Sequence, residues 1–308
     1  MNQLHVVTGA GPVGSTVALQ LADRGHQVRL LTRSGSGPDH PLVERRRVDV
    51  SRPDELDAAF AGAAAVYHCI HASAYDAAAW RRELPAAERV VLEAAGRAGA
   101  VVVFPESLYA FGVVDGPITE DTPRDAVGGK PGVRTDLLRA RAASPTPTVS
   151  VVASDFYGPR VRTSHAGERV VPNVLKGKAI RVIGSPDLPH AFTYVPDLAA
   201  AMIKAAATPE LWDTVLHAPT PAAPTQRELV AAFAAAAGVA TPAVGRLPMG
   251  LMRAVGLVHR GTRELLEMSF QFTAPFVMDS SRSERLLGLA PTPIDVAAKE
   301  TVAWWQTQ

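Results

Sequence analysis

The stretch Leu4-His5-Val6-Val7-Thr8-Gly9-Ala10-Gly11-Pro12-Val13-Gly14 decides the fold of this chain. It predicts an apolar strand at Leu4–Val7, a glycine-rich turn and a helix that ends near Arg24. The first glycine permits the tight turn, the second lets the backbone approach a pyrophosphate, and the third lets the helix pack closely on the strand. A plain glycine-rich turn is the alternative interpretation. The spacing favours a dinucleotide site with phosphate contacts at Gly9, Gly11, Pro12, Val13 and Gly14.

Strands and helices alternate along the first half of the chain. Further strands are predicted at Gln27–Leu31, Arg47–Val50, Ala65–Ile70, Val101–Phe104 and Val149–Ala153, and helices at Pro53–Phe60 and Ala77–Ala98. This alternation is typical of a parallel sheet with helices on both faces. We therefore expect an α/β, doubly wound Rossmann domain over residues 1–155, with a return segment at about 190–206. A smaller, interwoven cap subdomain is expected over residues 156–308.

Composition excludes several classes of function. The 308 residues are 47% hydrophobic and 20% charged, with a formal net charge of +1, which is typical of a globular protein without a basic nucleic-acid surface. The single cysteine, Cys69, excludes an internal disulfide and favours the cytoplasm. The apolar runs Ala231–Ala237 and Met249–Val258 are shorter than the roughly 20 residues of a membrane span. The N-terminus lacks the cationic start of a signal peptide.

The residues after the second predicted strand bear on the choice of dinucleotide. They read Leu31-Thr32-Arg33-Ser34 and contain no acidic residue. An acid at this position binds the 2′-hydroxyl of NAD, whereas an arginine can pair with the 2′-phosphate of NADP. A solvated loop charge is the alternative role for Arg33. The sequence favours NADP, with NAD still possible.

Several segments, in order, resemble the extended or atypical short-chain dehydrogenases/reductases of the NAD-dependent epimerase/dehydratase family. Besides the glycine loop, these segments are Val48–Val50, Val66–His71, Ser107–Gly112, Phe156–Pro159 and Phe192–Asp197. The resemblance implies hydride transfer between a nicotinamide and a carbon that bears oxygen. It also implies cofactor contacts at Asp49, Val50, Cys69, Ile70, His71 and Phe156.

The resemblance also implies catalytic groups: a serine that polarises the substrate oxygen, and a Tyr-x-x-x-Lys pair in which the lysine lowers the tyrosine pKa. Ser107 matches the serine, and a hydroxyl satisfied by backbone is its alternative role. The Tyr-x-x-x-Lys pair is absent. One alignment puts Lys130 in the tyrosine position and Arg134 in the lysine position, and another puts Gly132 and Asp136 there.

The proton donor therefore stays open at this stage. Arg134 can bind ribose hydroxyls but does not titrate usefully, and Lys130 can act as an acid only if burial lowers its pKa. Tyr109, two residues beyond Ser107, is the next candidate, and Tyr157 is a third. Each tyrosine has packing as its alternative role.

Other chemistries have weaker support. His68 and His71 are predicted to face opposite sides of a strand end, so no metal site is expected. Asp155 lacks the second carboxylate that glycoside hydrolysis needs. The segments Asp115–Thr122 and Leu247–Phe276 are expected to line a substrate pocket. For Met249, Leu251, Met252 and Phe270, a role in the cap core is preferred, and contact with an apolar substrate is the alternative.

Three functions remain: an NADP-preferring oxidoreductase with a carbonyl or alcohol substrate, an epimerase or dehydratase, and a non-catalytic dinucleotide sensor. The first is preferred, with a small-molecule substrate as the partner. By analogy with the family, a homodimer would form through the Ala77–Ala98 helix and the helix that follows Arg134.

Overall fold

The glycine-rich turn lies at the centre of a seven-stranded sheet in which every paired strand is parallel to its neighbour. The computed structural model describes residues 2–308. Its strands are β1 (Leu4–Thr8), β2 (Gln27–Thr32), β3 (Val43–Arg47), β4 (Ala63–His68), β5 (Val101–Ser107), β6 (Thr148–Ala153), β7 (Asp155–Tyr157), β8 (Ile180–Val182), β9 (Phe192–Tyr194), β10 (Thr214–His217) and β11 (Val244–Arg246). The order of the large sheet, β10-β6-β5-β4-β1-β2-β3, is that of a doubly wound α/β fold and confirms the predicted fold class.

Residues 2–308 form eleven α-helices. They are α1 (Pro12–Asp23), α2 (Pro53–Phe60), α3 (Ala77–Ala98), α4 (Gly129–Ala142), α5 (Val171–Leu175), α6 (Val195–Ala206), α7 (Gln226–Ala237), α8 (Met249–Val258), α9 (Arg260–Glu267), α10 (Ser281–Leu287) and α11 (Ile294–Gln306). On one face, α1 and α6 bury Leu21 and Met202 against the sheet; on the other, α2 and α3 bury Phe60 and Val91. The sheet is therefore apolar on both faces, as parallel sheets require.

A second apolar core lies outside the large sheet. It is formed by α5, α7 and α11 with the two-stranded sheets β7–β9 and β8–β11, around Tyr157, Phe192 and Phe233. The hairpin of α8 and α9 does not belong to this core. Gly256 is the one buried residue of the two helices. No helix within residues 2–308 has the length and apolar character needed to cross a bilayer.

Two predicted elements differ from the structure. The third strand is Val43–Arg47 rather than Arg47–Val50, because this edge strand is polar and mostly exposed, while Val50 packs beneath the sheet instead of extending it. The many Gly, Pro and Asp residues of Asp115–Gly132 predict a long loop, but α4 already begins at Gly129. As a result Lys130 and Arg134 lie on the same helix, one turn apart.

Candidate active site

A cavity of about 1920 Å³ runs along the carboxyl ends of the central strands and continues under the cap. Ligands of open parallel sheets bind at this edge. Eleven of the twelve predicted cofactor residues line the cavity: Gly9, Gly11, Pro12, Val13, Arg33, Asp49, Val50, Cys69, Ile70, His71 and Phe156. Gly14, the twelfth, lies behind the loop against the backbone of Gly9.

The three glycines of the loop have different surroundings. Gly9 has φ +89° and donates its N–H to the Leu31 carbonyl at 2.9 Å, so it closes a turn that favours glycine. A Cβ on Gly14 would lie 2.0 Å from the Gly9 carbonyl oxygen, whereas a Cβ on Gly11 would meet nothing within 4 Å. Close helix packing at Gly14 and open backbone at Gly11 fit a bound pyrophosphate.

Arg33 and Asp49 lie where the cavity passes β2 and β3. Arg33 is exposed and makes no ion pair within residues 2–308. Asp49 accepts hydrogen bonds from the Ser51 N–H at 3.0 Å and from the Ser51 hydroxyl at 2.8 Å. These hydrogen bonds, together with the charge of Arg33, lower the pKa of Asp49. A free guanidinium is therefore available at the end of the second strand.

Two predicted catalytic residues meet at the end of β5. The Ser107 hydroxyl donates to Glu106 Oε1 at 3.3 Å and lies 3.5 Å from the Tyr109 N–H. The Tyr109 hydroxyl lies 2.9 Å from that of Tyr75, and its ring stacks on Trp80 with centroids 6.0 Å apart. Burial raises the pKa of Tyr109 to about 12. The phenol near Ser107 is therefore a weak acid.

Arg134 brings a positive charge to the same part of the cavity. Its guanidinium bonds His71 Nε2 at 2.9 Å, lies 3.4 Å from Glu106 Oε1 and sits over the Trp80 ring at 4.8 Å. Burial, and then the charge of Arg134, lower the pKa of His71 to about 4. The neutral ring therefore accepts a hydrogen bond from the Arg134 guanidinium. Arg134 thus holds a fixed cation at the position predicted for the family's lysine.

Lys130 lies outside the cavity lining. Its side chain is completely buried, and its ammonium donates to the Glu264 carbonyl at 2.9 Å, to Glu264 Oε2 at 2.7 Å and to Glu267. All its donors are directed at α9, so Lys130 fastens the α8–α9 hairpin to α4. It is not placed to transfer a proton in the cavity.

The remaining catalytic alternatives also lie away from the cavity lining. Asp136 is exposed and lies 3.8 Å from Arg139 on the outer surface of α4. Gly132 is buried in the same helix, and Tyr157 belongs to the cap core. Tyr109 is therefore the one predicted phenol that reaches the cavity, and Tyr75 joins it.

The cavity contains an acidic residue whose partner lies far along the sequence. Asp155 begins β7, and its Oδ2 lies 2.6 Å from Nε2 of His190, 35 residues further on. Parallel pairing of β7 with β9 brings the two together, since Asp155 is the register partner of Phe192. Burial raises the pKa of Asp155, but His165 and His190 outweigh it and hold that pKa below its ordinary value. No local spacing predicts this pair.

The cap lines the far end of the cavity. Of the two segments predicted to line a substrate pocket, one contributes to this lining and the other does not. Leu247, Leu251, Met252 and Leu265 line the cavity, whereas Met249 and Phe270 do not. The prediction that Asp115–Thr122 lines the pocket is wrong. Its backbone is bonded to the chain near Met278, and Ile118 is buried there. Residues 2–308 contain no group of three or more candidate metal ligands.

Solved structures with this fold cover nearly the whole chain. The crystal structure of gox2253 superposes with a TM-score of 0.78 at 23% identity, over 99% of this chain and 98% of that one. UDP-glucose 4-epimerase from Thermotoga maritima, solved with UDP-glucose, gives 0.76 at 18% identity over 99% of both chains. The Bordetella bronchiseptica enzyme WbmH, solved with NAD+, gives 0.74 at 18% identity over 99% of both chains.

Sequence comparison reaches the same fold independently. No curated protein sequence matches the chain. The model of the NAD dependent epimerase/dehydratase family matches residues 5–214, which include the glycine loop, Ser107 and Asp155. The chain belongs to the NAD-dependent epimerase/dehydratase family.

Proposed function

We propose that this protein is an NAD(P)-dependent oxidoreductase that transfers hydride to or from a small carbonyl or alcohol substrate. The observation that carries the proposal is a single cavity that joins the open glycine loop to the hydroxyls of Ser107 and Tyr109. A nicotinamide bound there would supply or take the hydride. A homodimer through α3 and α4 stays a prediction.

Each residue of this end of the cavity has a role in the proposal. Ser107 and Tyr109 donate hydrogen bonds to the substrate oxygen and so polarise it. Arg134 holds positive charge beside the nicotinamide ribose without exchanging a proton. Leu251 and Met252 line the cap end of the cavity and would contact an apolar part of the substrate.

Two other functions keep some support. An epimerase or dehydratase is supported by the family and by the sugar-nucleotide enzymes among its structural relatives. The lack of a phenol on α4 opposes it, because proton abstraction by that tyrosine is part of the sugar-nucleotide reaction. A non-catalytic dinucleotide sensor is favoured by the ion pairs of Lys130, which occupy the tyrosine position.

The Ser107 hydroxyl provides the test of the proposed function. With purified protein, NADPH and a panel of aldehydes and ketones, we expect the Ser107→Ala variant to lose about a hundredfold in turnover, the usual cost of one oxyanion donor. Absorbance at the reduced nicotinamide band follows the reaction. Ser281→Ala, an exposed serine on α10, is the matched control. Dinucleotide binding without turnover of any substrate would favour the sensor.

Cofactor preference follows from Arg33. We expect Arg33→Ala to weaken NADPH binding roughly tenfold to a hundredfold, because a charge-assisted bond to the 2′-phosphate contributes about 1.5–3 kcal/mol. NADH affinity should change little. Tryptophan fluorescence titration with both dinucleotides measures this difference. Arg47→Ala, an exposed arginine on β3 outside the cavity lining, is the control. Equal losses for NADPH and NADH would contradict the assignment.

A further inference from the structure

We propose that Asp155 and His190 share one extra proton and are the acid–base pair of this cavity. The proposal rests on the proposed function, because it names the proton source for the same carbonyl or alcohol reaction. It also assigns a catalytic role to a pair that replaces the missing Tyr-x-x-x-Lys.

The first argument is a count of hydrogen-bond donors. His190 Nδ1 lies 3.0 Å from the Gln271 carbonyl oxygen, which only accepts, so Nδ1 carries a hydrogen. Nε2 lies 2.6 Å from Asp155 Oδ2. A neutral imidazole has one N–H, which would leave a bare nitrogen facing a carboxylate oxygen at this distance. A second proton must therefore lie between Asp155 and His190.

The surroundings favour a shared proton over a lone charge. His190 is 2% exposed and stacks on Phe272 with ring centroids 4.4 Å apart, and Phe192 lies 4.7 Å away. An isolated imidazolium is costly among such rings, but an imidazolium paired with a carboxylate is neutral overall. The charges of His165 and His190 hold the pKa of Asp155 below its ordinary value, so Asp155 is the negatively charged member of the pair.

Asp155 connects this proton to the cavity. Its side chain is 17% exposed and lines the cavity, whereas His190 lies behind it. Ala153, the last residue of β6, is the register partner of Ser107, and Asp155 follows it by two residues at the start of β7. Asp155 and Tyr109 line the same cavity.

The charged and titratable groups around the pair come from several elements. They are His165 from the loop after β7, Tyr75 from the loop after β4, Tyr109, and Arg169 beyond His165. None of these is a carboxylate that competes with Asp155 for the histidine. Asp155 itself lines the cavity with 17% of its side chain exposed, so the pair exchanges protons with water there.

The reaction balances with this pair as proton source. On reduction, the carbonyl carbon gains a hydride from the reduced nicotinamide, and the π electrons of the C=O bond move to oxygen. His190 Nε2 first passes its proton to the Asp155 carboxylate, and the carboxylic acid so formed donates that proton to the substrate oxygen. The products are an alcohol, the oxidised nicotinamide and a pair that lacks one proton, which water restores. Oxidation runs the same steps in reverse.

A nitrogen-15 NMR spectrum of histidine-labelled protein tests the shared proton directly. In the wild type near pH 7 we expect both ring nitrogens of His190 to be protonated, and in Asp155→Asn we expect a neutral ring. Asp187→Asn, a surface carboxylate paired with Arg227, should leave the His190 signals unchanged. A wild-type His190 with an unprotonated Nε2 overturns the proposal, and this spectrum needs no variant.

Kinetics test the catalytic role. We expect Asp155→Asn to lower kcat for carbonyl reduction about a hundredfold, with dinucleotide affinity unchanged. Wild-type activity should fall as pH rises and the pair deprotonates, and the variant should not show this fall. An unchanged kcat and pH profile in this variant overturns the acid–base role. A wild type that reduces or oxidises no substrate overturns the proposed function as well, and the NMR spectrum then still decides where the proton lies.

Discussion

Replacing Arg141 by methionine is expected to lower the free energy of unfolding by about 3–5 kcal/mol, the usual cost of leaving a buried charge unpaired. Arg141 is 3% exposed and lies between two buried carboxylates. It donates twice to Glu88, at 2.8 and 2.6 Å, and once to Glu106 at 2.8 Å, and it also bonds the Ser150 hydroxyl at 3.0 Å. Methionine fills a similar volume but satisfies neither carboxylate.

The pH dependence has a definite sign. Burial raises the pKa of Glu106, but Arg134 and Arg141 outweigh it, so this pKa is below its ordinary value in the folded protein. A carboxylate of this kind stabilises the fold above its unfolded pKa, and the contribution is lost as pH falls through the folded pKa. Without Arg141 the charged form of Glu106 is stabilised less. The difference between wild type and variant should therefore be largest near neutral pH and narrow as pH falls below about 4, the ordinary range of a glutamate pKa.

Denaturant unfolding at pH 7.5 and pH 3.5 measures both effects. Arg89→Met is the matched control, because Arg89 lies on α3 and makes an exposed pair with Glu93, for which about 0.5 kcal/mol is expected. Adding Glu88→Gln to Arg141→Met should recover part of the loss, since it removes one unpaired charge. An Arg141→Met variant as stable as the Arg89 control would show that the buried carboxylates are satisfied without Arg141.

Local sequence signals predicted the scaffold well. Helices Pro53–Phe60 and Ala77–Ala98 have the predicted bounds, and the second ends before Gly99, whose φ of +69° lies in the left-handed region. The dinucleotide end of the cavity was also predictable, since the glycine loop and the ends of β2 and β4 follow the chain in order. The polar edge strand β3 was misplaced, because its position depends on pairing with β2 rather than on apolar pattern.

The chemistry at the other end of the cavity depends on long-range packing. Tyr75 reaches Tyr109 across 34 residues, and His190 reaches Asp155 through the pairing of β7 with β9. Lys130 resembled a catalytic group because alignment put it in the tyrosine position, but its ammonium is bound by glutamates 134 and 137 residues away. No periodicity or motif carries such information. The sequence showed that the usual phenol is missing but not which groups replace it.

Replacing Gly14 by alanine is expected to disrupt both folding and dinucleotide binding. The new Cβ would lie 2.0 Å from the Gly9 carbonyl oxygen and 3.2 Å from the Cys69 side chain. Because the nearest atom is backbone, α1 must move away from β1, and a loss of roughly 3 kcal/mol or more in stability is expected from such overpacking. The same movement displaces the N–H groups at the start of α1 that would bind the phosphates.

Gly11→Ala separates binding from folding. Gly11 has φ −68°, which any residue adopts, and its Cβ would meet nothing within 4 Å. We therefore expect stability within about 0.5 kcal/mol of wild type, as for other unstrained surface changes. Dinucleotide affinity should nevertheless fall at least tenfold, because the methyl group occupies the space that the pyrophosphate needs. Thermal unfolding and NADPH titration of both variants give the comparison. If Gly11→Ala binds NADPH as tightly as wild type, the pyrophosphate does not cross the loop at Gly11, and the dinucleotide position proposed for this cavity is wrong.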